Sequence, residues 1–154
     1  MAHQRIIVLG ATGQLGSDLV EVLSNEDNFE VFPISHQDAD CTDPETVRRR
    51  FAQVGPNIVV NCAAFVRVDE CEERVGDAFR VNAVGAFNVA KACAEIEALC
   101  VFISTDYVFD GAKDSAYTEA DTPNPINVYG ASKLAGEYLT RQVARHCLIV
   151  RTAS

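Results

Sequence analysis

Seven residues near the amino terminus, Gly10-Ala-Thr-Gly13-Gln-Leu-Gly16, constrain the fold more than any other stretch. They follow the apolar run Ile6-Ile7-Val8-Leu9 and open Gln14 to Leu23, where Leu15, Leu19, Val20 and Leu23 recur at helical spacing. A buried strand, a glycine turn and a helix start therefore come in immediate succession. Glycine at such a turn tolerates φ > 0 and lets a ligand approach bare backbone. The helix start beyond it offers unpaired N–H groups and about half a positive charge, a setting that suits a pyrophosphate. Two readings stand side by side: dinucleotide binding, or a tight βα turn whose glycines serve packing alone. The spacing is GxxGxxG, a variant of the GxGxxG fingerprint.

The rest of the chain repeats the strand-then-helix alternation. Glu30 to Ile34 reads as a second strand, with Pro33 marking a strand end or an edge position. The fingerprint expects an acid about 20 residues after the glycines to bind the ribose of NAD. That neighbourhood reads Ser35-His36-Gln37-Asp38, with no acid cleanly at the strand end and no adjacent Arg for a 2′-phosphate, so the choice between NAD and NADP stays open. Asp43-Pro44 caps a helix that runs to about Gln53, with Val47, Phe51 and Val54 on its apolar face. Asn57 to Cys62 is a buried strand ending in the small residues Ala63 and Ala64. Val68 to Glu73 is a short helical turn, and Asp77 to Glu97 a long helix in which Asn82 and Asn88 can reach back to the sheet. Leu99 to Ser104 is the next strand. Asp106 to Asn127 is a long loop, a length that usually carries function. Val128 to Gln142 reads as a helix packed through Leu134, Tyr138 and Leu139, and His146 to Thr152 as the last strand.

Such alternation predicts an α/β fold: a doubly wound, Rossmann-like parallel sheet with helices on both faces. A short extra strand around Gln37 to Asp40 would give six strands in the order 3-2-1-4-5-6. At 154 residues the chain reads as one domain. Its net charge of −9 disfavours nucleic acid and anionic membrane surfaces as partners. The basic triplet Arg48-Arg49-Arg50 points in different directions on its helix and reads as a solvated surface. Met1 to Arg5 runs straight into a strand without a signal peptide, and no apolar run approaches a membrane span. The six cysteines form no CxxC pair and read as reduced, mostly buried thiols of a cytoplasmic protein. The three histidines lack ligand-like spacing, so no metal is expected.

Tyr129-Gly-Ala-Ser-Lys133 places a phenol and an ammonium four residues apart on one helical face. A nearby cation lowers a tyrosine pKa from about 10, and a phenol so tuned can protonate a carbonyl oxygen as hydride reaches the carbon. Thr105, at a strand's carboxyl end, can hydrogen-bond the same oxygen. An exposed Tyr and Lys on a surface helix would share this spacing. What singles the pair out is order: glycine loop, strand-end hydroxyl, then Tyr and Lys, all brought to one sheet edge.

Gly10-Ala-Thr-Gly-Gln-Leu-Gly16, Ser104-Thr-Asp-Tyr-Val-Phe-Asp-Gly111, Pro125-Ile-Asn-Val-Tyr-Gly-Ala-Ser-Lys133 and Leu134-Ala-Gly-Glu137 together resemble the dTDP-4-dehydrorhamnose reductases. These are extended short-chain reductases that use NADPH or NADH to reduce the C4 ketone of dTDP-6-deoxy-L-lyxo-4-hexulose, giving dTDP-rhamnose. The resemblance implies Tyr129 as general acid, Lys133 as the group that binds the nicotinamide ribose and lowers the Tyr129 pKa, and Thr105 as hydroxyl partner. It implies Gly10, Thr12, Gly13, Gln14 and Leu15 around the pyrophosphate, Asp40 and Cys41 near the adenine, and Ala63 and Ala64 beside the cofactor. Leu9 departs from the family, which usually carries Thr there. The implied cofactor is NADP or NAD, the partner a sugar-nucleotide substrate, and a homodimer is a candidate assembly. Family members run to roughly twice this length, and their carboxyl-terminal part supplies most of the sugar-nucleotide pocket. Residues 1–154 are thus expected to be a dinucleotide-binding domain without its substrate domain, with impaired turnover. The regulatory subunit of methionine adenosyltransferase is similar through the same motifs, and offers a second reading: a binding partner that holds a dinucleotide without catalysis.

Overall fold

The computed structural model describes residues 3–153, so the amino-terminal reading at Met1 and Ala2, and Ser154, fall outside it. Five parallel strands form one sheet in the order β2-β1-β3-β4-β5. They are β1 (Gln4–Leu9), β2 (Phe29–Ile34), β3 (Ile58–Asn61), β4 (Leu99–Thr105) and β5 (Cys147–Thr152). This is the expected doubly wound sheet with one strand fewer. Residues 37–40 do not pair: the N–H groups of Asp38 and Ala39 turn back onto the Ser35 carbonyl, and the Asp38 carboxylate accepts from Ser35 N and Oγ. A chain held in that local turn cannot extend beside β2. Pro33 accordingly sits on an edge strand, paired only through β1, where its missing N–H leaves no bond unmade.

Right-handed crossovers dictate the layering. Only the β1-to-β2 connection moves in one direction across the sheet; every later connection moves in the other. Helix α1 (Gln14–Ser24) therefore lies alone on one face, against β1 and β2. Helices α2 (Pro44–Val54), α5 (Ala86–Glu95) and α6 (Val128–Val143) pack side by side on the opposite face. That second face holds the core, where Val47 and Phe51 of α2 and Val89, Ala90 and Cys93 of α5 close over Ile7, Leu9, Val59 and Cys100. Asp43 accepts from Glu45 N with Pro44 at the first helical position, as the sequence predicts, and Gly55 ends α2 at φ 61°.

The long helix expected over Asp77–Glu97 is three pieces in line. Helix α4 (Val75–Phe79) passes into a π-helical segment (Arg80–Gly85) and then α5, after the short helix α3 (Val68–Glu73). A π turn admits one extra residue per turn, invisible to a periodicity count, and such segments favour functional sites.

Candidate functional site

The glycine turn resolves into residues with different reasons for being glycine. Gly10 has φ 79°, and a Cβ there would meet Ala63 N at 2.8 Å. A Cβ on Gly16 would run into the Gly10 carbonyl. Packing alone requires both. Gly13 differs: its φ is −77°, and an added Cβ would meet only the Gly10 carbonyl oxygen, at 3.4 Å. Gly13 is also the N-cap of α1, with no side chain capping the helix and no acid in its first turn. The bare backbone here faces open space, and the space is a crevice.

Two adjoining cavities of about 430 and 650 Å³ meet over Gly10, Gly13, Cys62 and Ala64. The smaller is lined by Thr12, Asp40, Cys41 and Ala63, the larger by Gln14, Leu15, Thr105, Tyr129 and Lys133. Every residue singled out in the sequence therefore borders one continuous groove at the carboxyl ends of the strands, where open α/β sheets bind ligands. The elongated groove, its bare Gly13 backbone and the uncapped helix suit a dinucleotide. Sequence reasoning missed His36 and Arg80, which also line the smaller cavity. His36 follows β2 and was visible as a strand-end residue. Arg80 begins the π segment and carried no signal. Cys62 lies in both cavities, and burial pushes its thiol up to about 11, which favours the protonated form at neutral pH. Among the described residues no group of three or more His, Cys, Asp or Glu is placed to hold a metal ion, and no helix is long and apolar enough to cross a membrane.

At the far end of the larger cavity, which Thr105 and Tyr129 both line, Thr105 Oγ1 accepts from Tyr107 N at 3.1 Å and donates to Asp106 Oδ1 at 3.2 Å. Tyr107 packs edge-on against Tyr129, ring centres 5.7 Å apart. One expectation is corrected here. Burial raises the Tyr129 pKa above its ordinary value and outweighs the neighbouring Thr105 hydroxyl, which acts to lower it. The Lys133 ammonium is instead drawn into the sheet, donating to the Ile103 carbonyl at 2.6 Å and lying 4.3 Å from the centre of the Phe102 ring. Burial lowers its pKa to about 8, which leaves it mostly protonated at neutral pH.

The face of α6 that meets the molecule is polar, against the expectation that Leu134, Tyr138 and Leu139 pack. Tyr138 is exposed and the two leucines half-buried, while Ser132, Lys133, Gly136, Glu137 and Thr140 are buried. Gly136 lets the helix close onto the Asn82 carbonyl and the Phe102 ring. Glu137, 1% exposed, accepts from Ser104 Oγ at 2.6 Å and from Arg151 Nε and Nη2 at 2.8 and 2.6 Å, tying α6 to β4 and β5 beside Thr105. Asn82 of the π segment accepts from Phe65 N and donates to Phe65 O and Ser132 Oγ, while Ser132 Oγ donates to the Tyr129 carbonyl. Asn82 thus joins the loop after β3 to the helix bearing Tyr129. It and Asn88, which donates to the Cys41 carbonyl, reach loops rather than the sheet.

The loop from Asp106 to Asn127 is built rather than slack. Asp110 gathers donors from Asn124, Ala112 N and Tyr117, which hold its carboxyl at about 2. Phe109 stacks on Tyr117 with ring centres 4.2 Å apart, and Arg151 lies over the Phe109 ring.

A dTDP-4-dehydrorhamnose reductase from Mycolicibacterium smegmatis is 40% identical over 151 residues, covering 97% of this chain and 45% of that protein. The Bacillus subtilis spore coat polysaccharide biosynthesis protein SpsK is 39% identical over 149 residues, covering 97% and 52%. The crystal structure of a Bacillus anthracis dTDP-4-dehydrorhamnose reductase in complex with NADP superimposes with a TM-score of 0.96 at 40% identity, covering 99% of this chain and 54% of that one. The chain spans about half the length of the curated relatives it matches. Residues 4–154 match the family described as the RmlD substrate binding domain, and the chain belongs to that family.

Proposed function

We propose that residues 1–154 act as the dinucleotide-binding part of an NAD(P)H-dependent reductase that converts dTDP-4-dehydrorhamnose to dTDP-rhamnose. The observation that carries this is the continuous groove joining the bare Gly13 backbone to Tyr129, Thr105 and Lys133. The uncapped start of α1, with Gly10, Thr12, Gln14 and Leu15 around it, would hold the pyrophosphate. Asp40, Cys41 and Ala63 would flank the adenosine, and Ala64 and Lys133 the nicotinamide ribose. The dinucleotide, when bound, supplies the hydride.

The chain's own residues supply the proton and its management. A proton donor must be protonated before the reaction, and the raised pKa of Tyr129 keeps its phenol neutral. Thr105, lining the same cavity as that phenol, would hydrogen-bond the substrate carbonyl and share its developing oxyanion. Lys133, cationic on the same helix one turn away, would stabilise the negative charge that develops as the tyrosinate forms. The sugar nucleotide would be oriented by a portion of the kind the relatives carry over their remaining length. Orientation is worth about 7–11 kcal/mol of barrier, so these 154 residues alone should bind dinucleotide and turn over little. The six free thiols suit a reducing compartment, and we place the protein in the cytoplasm.

The test pairs NADPH fluorescence titration of the 154-residue chain with NADPH oxidation by the full product of its gene, using dTDP-4-dehydrorhamnose. Tyr129→Phe should lower turnover by about 10²–10⁴-fold while leaving NADPH affinity intact. Failure of the chain to bind either NADPH or NADH would sink the proposal. Binding without turnover in the full product would favour the regulatory, non-catalytic reading.

A further inference from the structure

Behind Thr105, Tyr129 and Lys133 lies a set of buried polar contacts that dinucleotide binding does not require. Helix α6 grips the end of β4 at two successive residues. The Lys133 ammonium donates to the Ile103 carbonyl at 2.6 Å, and one turn further on Glu137 accepts from Ser104 Oγ at 2.6 Å. The next residue of the strand is Thr105. Arg151, opposite Ser104 in the parallel register of β5, grips the same carboxylate through Nε and Nη2 at 2.8 and 2.6 Å. Glu137 therefore joins one helix to two neighbouring strands at the edge where both strands end.

Arg151 is aimed as well as paired. Its guanidinium lies 5.0 Å from the centre of the Phe109 ring, and Phe109 stacks on Tyr117 with centres 4.2 Å and planes 10° apart. The Tyr117 hydroxyl donates to Asp110 Oδ1 at 2.7 Å, so the long loop steadies the guanidinium from outside.

Stability does not account for the pair. Well-packed apolar side chains often replace a buried ion pair without loss, because desolvation offsets its attraction. What apolar packing lacks is direction: it is non-directional, whereas a hydrogen bond holds its partners to within about half an ångström. The rest of this contact has little to fix α6 along β4. Gly136 has no side chain to mesh with the Phe102 ring, and Thr140 Oγ1 is buried without a partner. Among the described residues, the side-chain hydrogen bonds that join α6 to β4 are those of Lys133 and Glu137.

We propose that Glu137 and Arg151 are positioning residues of the reduction. They set the register of α6 on β4, and that register decides whether Tyr129 and Thr105 reach one carbonyl oxygen. Neither side chain lines the groove, so both act through the residues that do. A misplacement of about 1 Å can cost on the order of 10²-fold in rate, even from a remote position. The assignment rests on the reductase reading above.

The experiment uses the full product of the gene and removes the whole network at once. Glu137→Met with Arg151→Met and Ser104→Ala leaves none of the three groups buried without its partner. Its urea midpoint should stay near that of the wild type, and NADPH affinity should change by less than about twofold. Turnover of dTDP-4-dehydrorhamnose per NADPH-binding site should fall by about 10–10²-fold, in kcat rather than in KM. Arg151→Lys keeps the charge but loses the two-pronged grip and the stacking, and should lower kcat by about tenfold. Phe109→Leu, on the half-buried loop side, should lower it by about threefold, the scale of one aromatic stack. Should the triple variant not fold, these two single variants decide the matter. Wild-type kcat per site in the variants that fold overturns the assignment and leaves the pair a structural brace. A wild type that binds NADPH without reducing the sugar nucleotide overturns the reductase reading, and the assignment with it.

Discussion

Helices α1 and α6 both border the larger cavity, yet they serve it in opposite ways. Helix α1 contributes backbone. Its one buried residue is Gly16, Leu15 is 41% exposed and Val22 60% exposed, and what it presents to the groove is its uncapped amino terminus at Gly13. Helix α6 contributes side chains, turning Ser132, Lys133, Glu137 and Thr140 inward and leaving Tyr138 outside. The difference follows from which face of the sheet each helix covers. Helix α1 stands alone over β1 and β2, so its sequence is constrained only at Gly16 and at the half-buried Leu19, Val20 and Leu23. Helix α6 is wedged against α5, the π segment and β4, where a polar side chain must find a partner or be expelled. One helix can therefore vary at little cost in stability, and the other holds a buried polar network that specifies geometry.

The comparison is broken most severely at Glu137. Glu137→Ala leaves Arg151 and Ser104 without their acceptor inside the fold, and should cost about 3–5 kcal/mol in urea denaturation. Glu137→Gln, which keeps an acceptor oxygen, should cost clearly less. If the alanine variant lost no more than a typical surface change, α6 would not differ from α1 in the way argued.

Lys133 sharpens the comparison through pH. Its pKa falls from 10.5 in the unfolded chain to about 8 in the fold, because burial penalises the ammonium. Below pH 8 the side chain is charged in both states, and the fold bears the full penalty. Between about pH 8 and 10.5 the unfolded state binds more protons, so this group's contribution to stability rises with pH. The stability of the wild type relative to Lys133→Met should therefore rise across that window, by on the order of 3 kcal/mol. Taking the difference between the two proteins cancels the opposing titration of buried cysteines and Tyr129. A flat difference would mean that the ammonium is better solvated than its 2% exposure indicates.

The smallest effect on stability is expected on α1. Gly13→Val places a β-branched side chain where the protein offers it room, so stability should fall by about 1 kcal/mol or less, a cost of poorer capping. NADPH affinity should nevertheless fall by more than about tenfold, since the methyl groups occupy the approach to the helix amino terminus. Equal affinity in the two proteins would make all three glycines of the turn purely structural.

Much of this was legible along the chain because short-range sterics wrote it there. Pro44 after Asp43, Gly55 after α2 and the glycines after Leu9 each mark an element boundary through backbone conformation alone. The α6 face was misread because an apolar-periodicity rule assumes that a helix buries its leucines, and it has no means of seeing that Glu137 will meet Arg151 fourteen residues later. The π segment hid for a related reason, since its extra residue leaves composition unchanged while shifting Arg80 and Asn82 around the axis.

The sequence by itself determined the alternation of strands and helices, the βα glycine turn and the order in which Thr105, Tyr129 and Lys133 arrive at one sheet edge. These depend on residues close in the chain and on the handedness of crossovers, which L-amino acids impose everywhere. Only the tertiary structure decided which glycine is kept for packing and which faces the groove, and where the Lys133 ammonium goes. It alone brought His36 and Arg80 to one wall. Each of these turns on contacts between residues tens of positions apart, between Gly10 and Ala63 or Lys133 and Ile103, and no local pattern encodes a distance across a sheet.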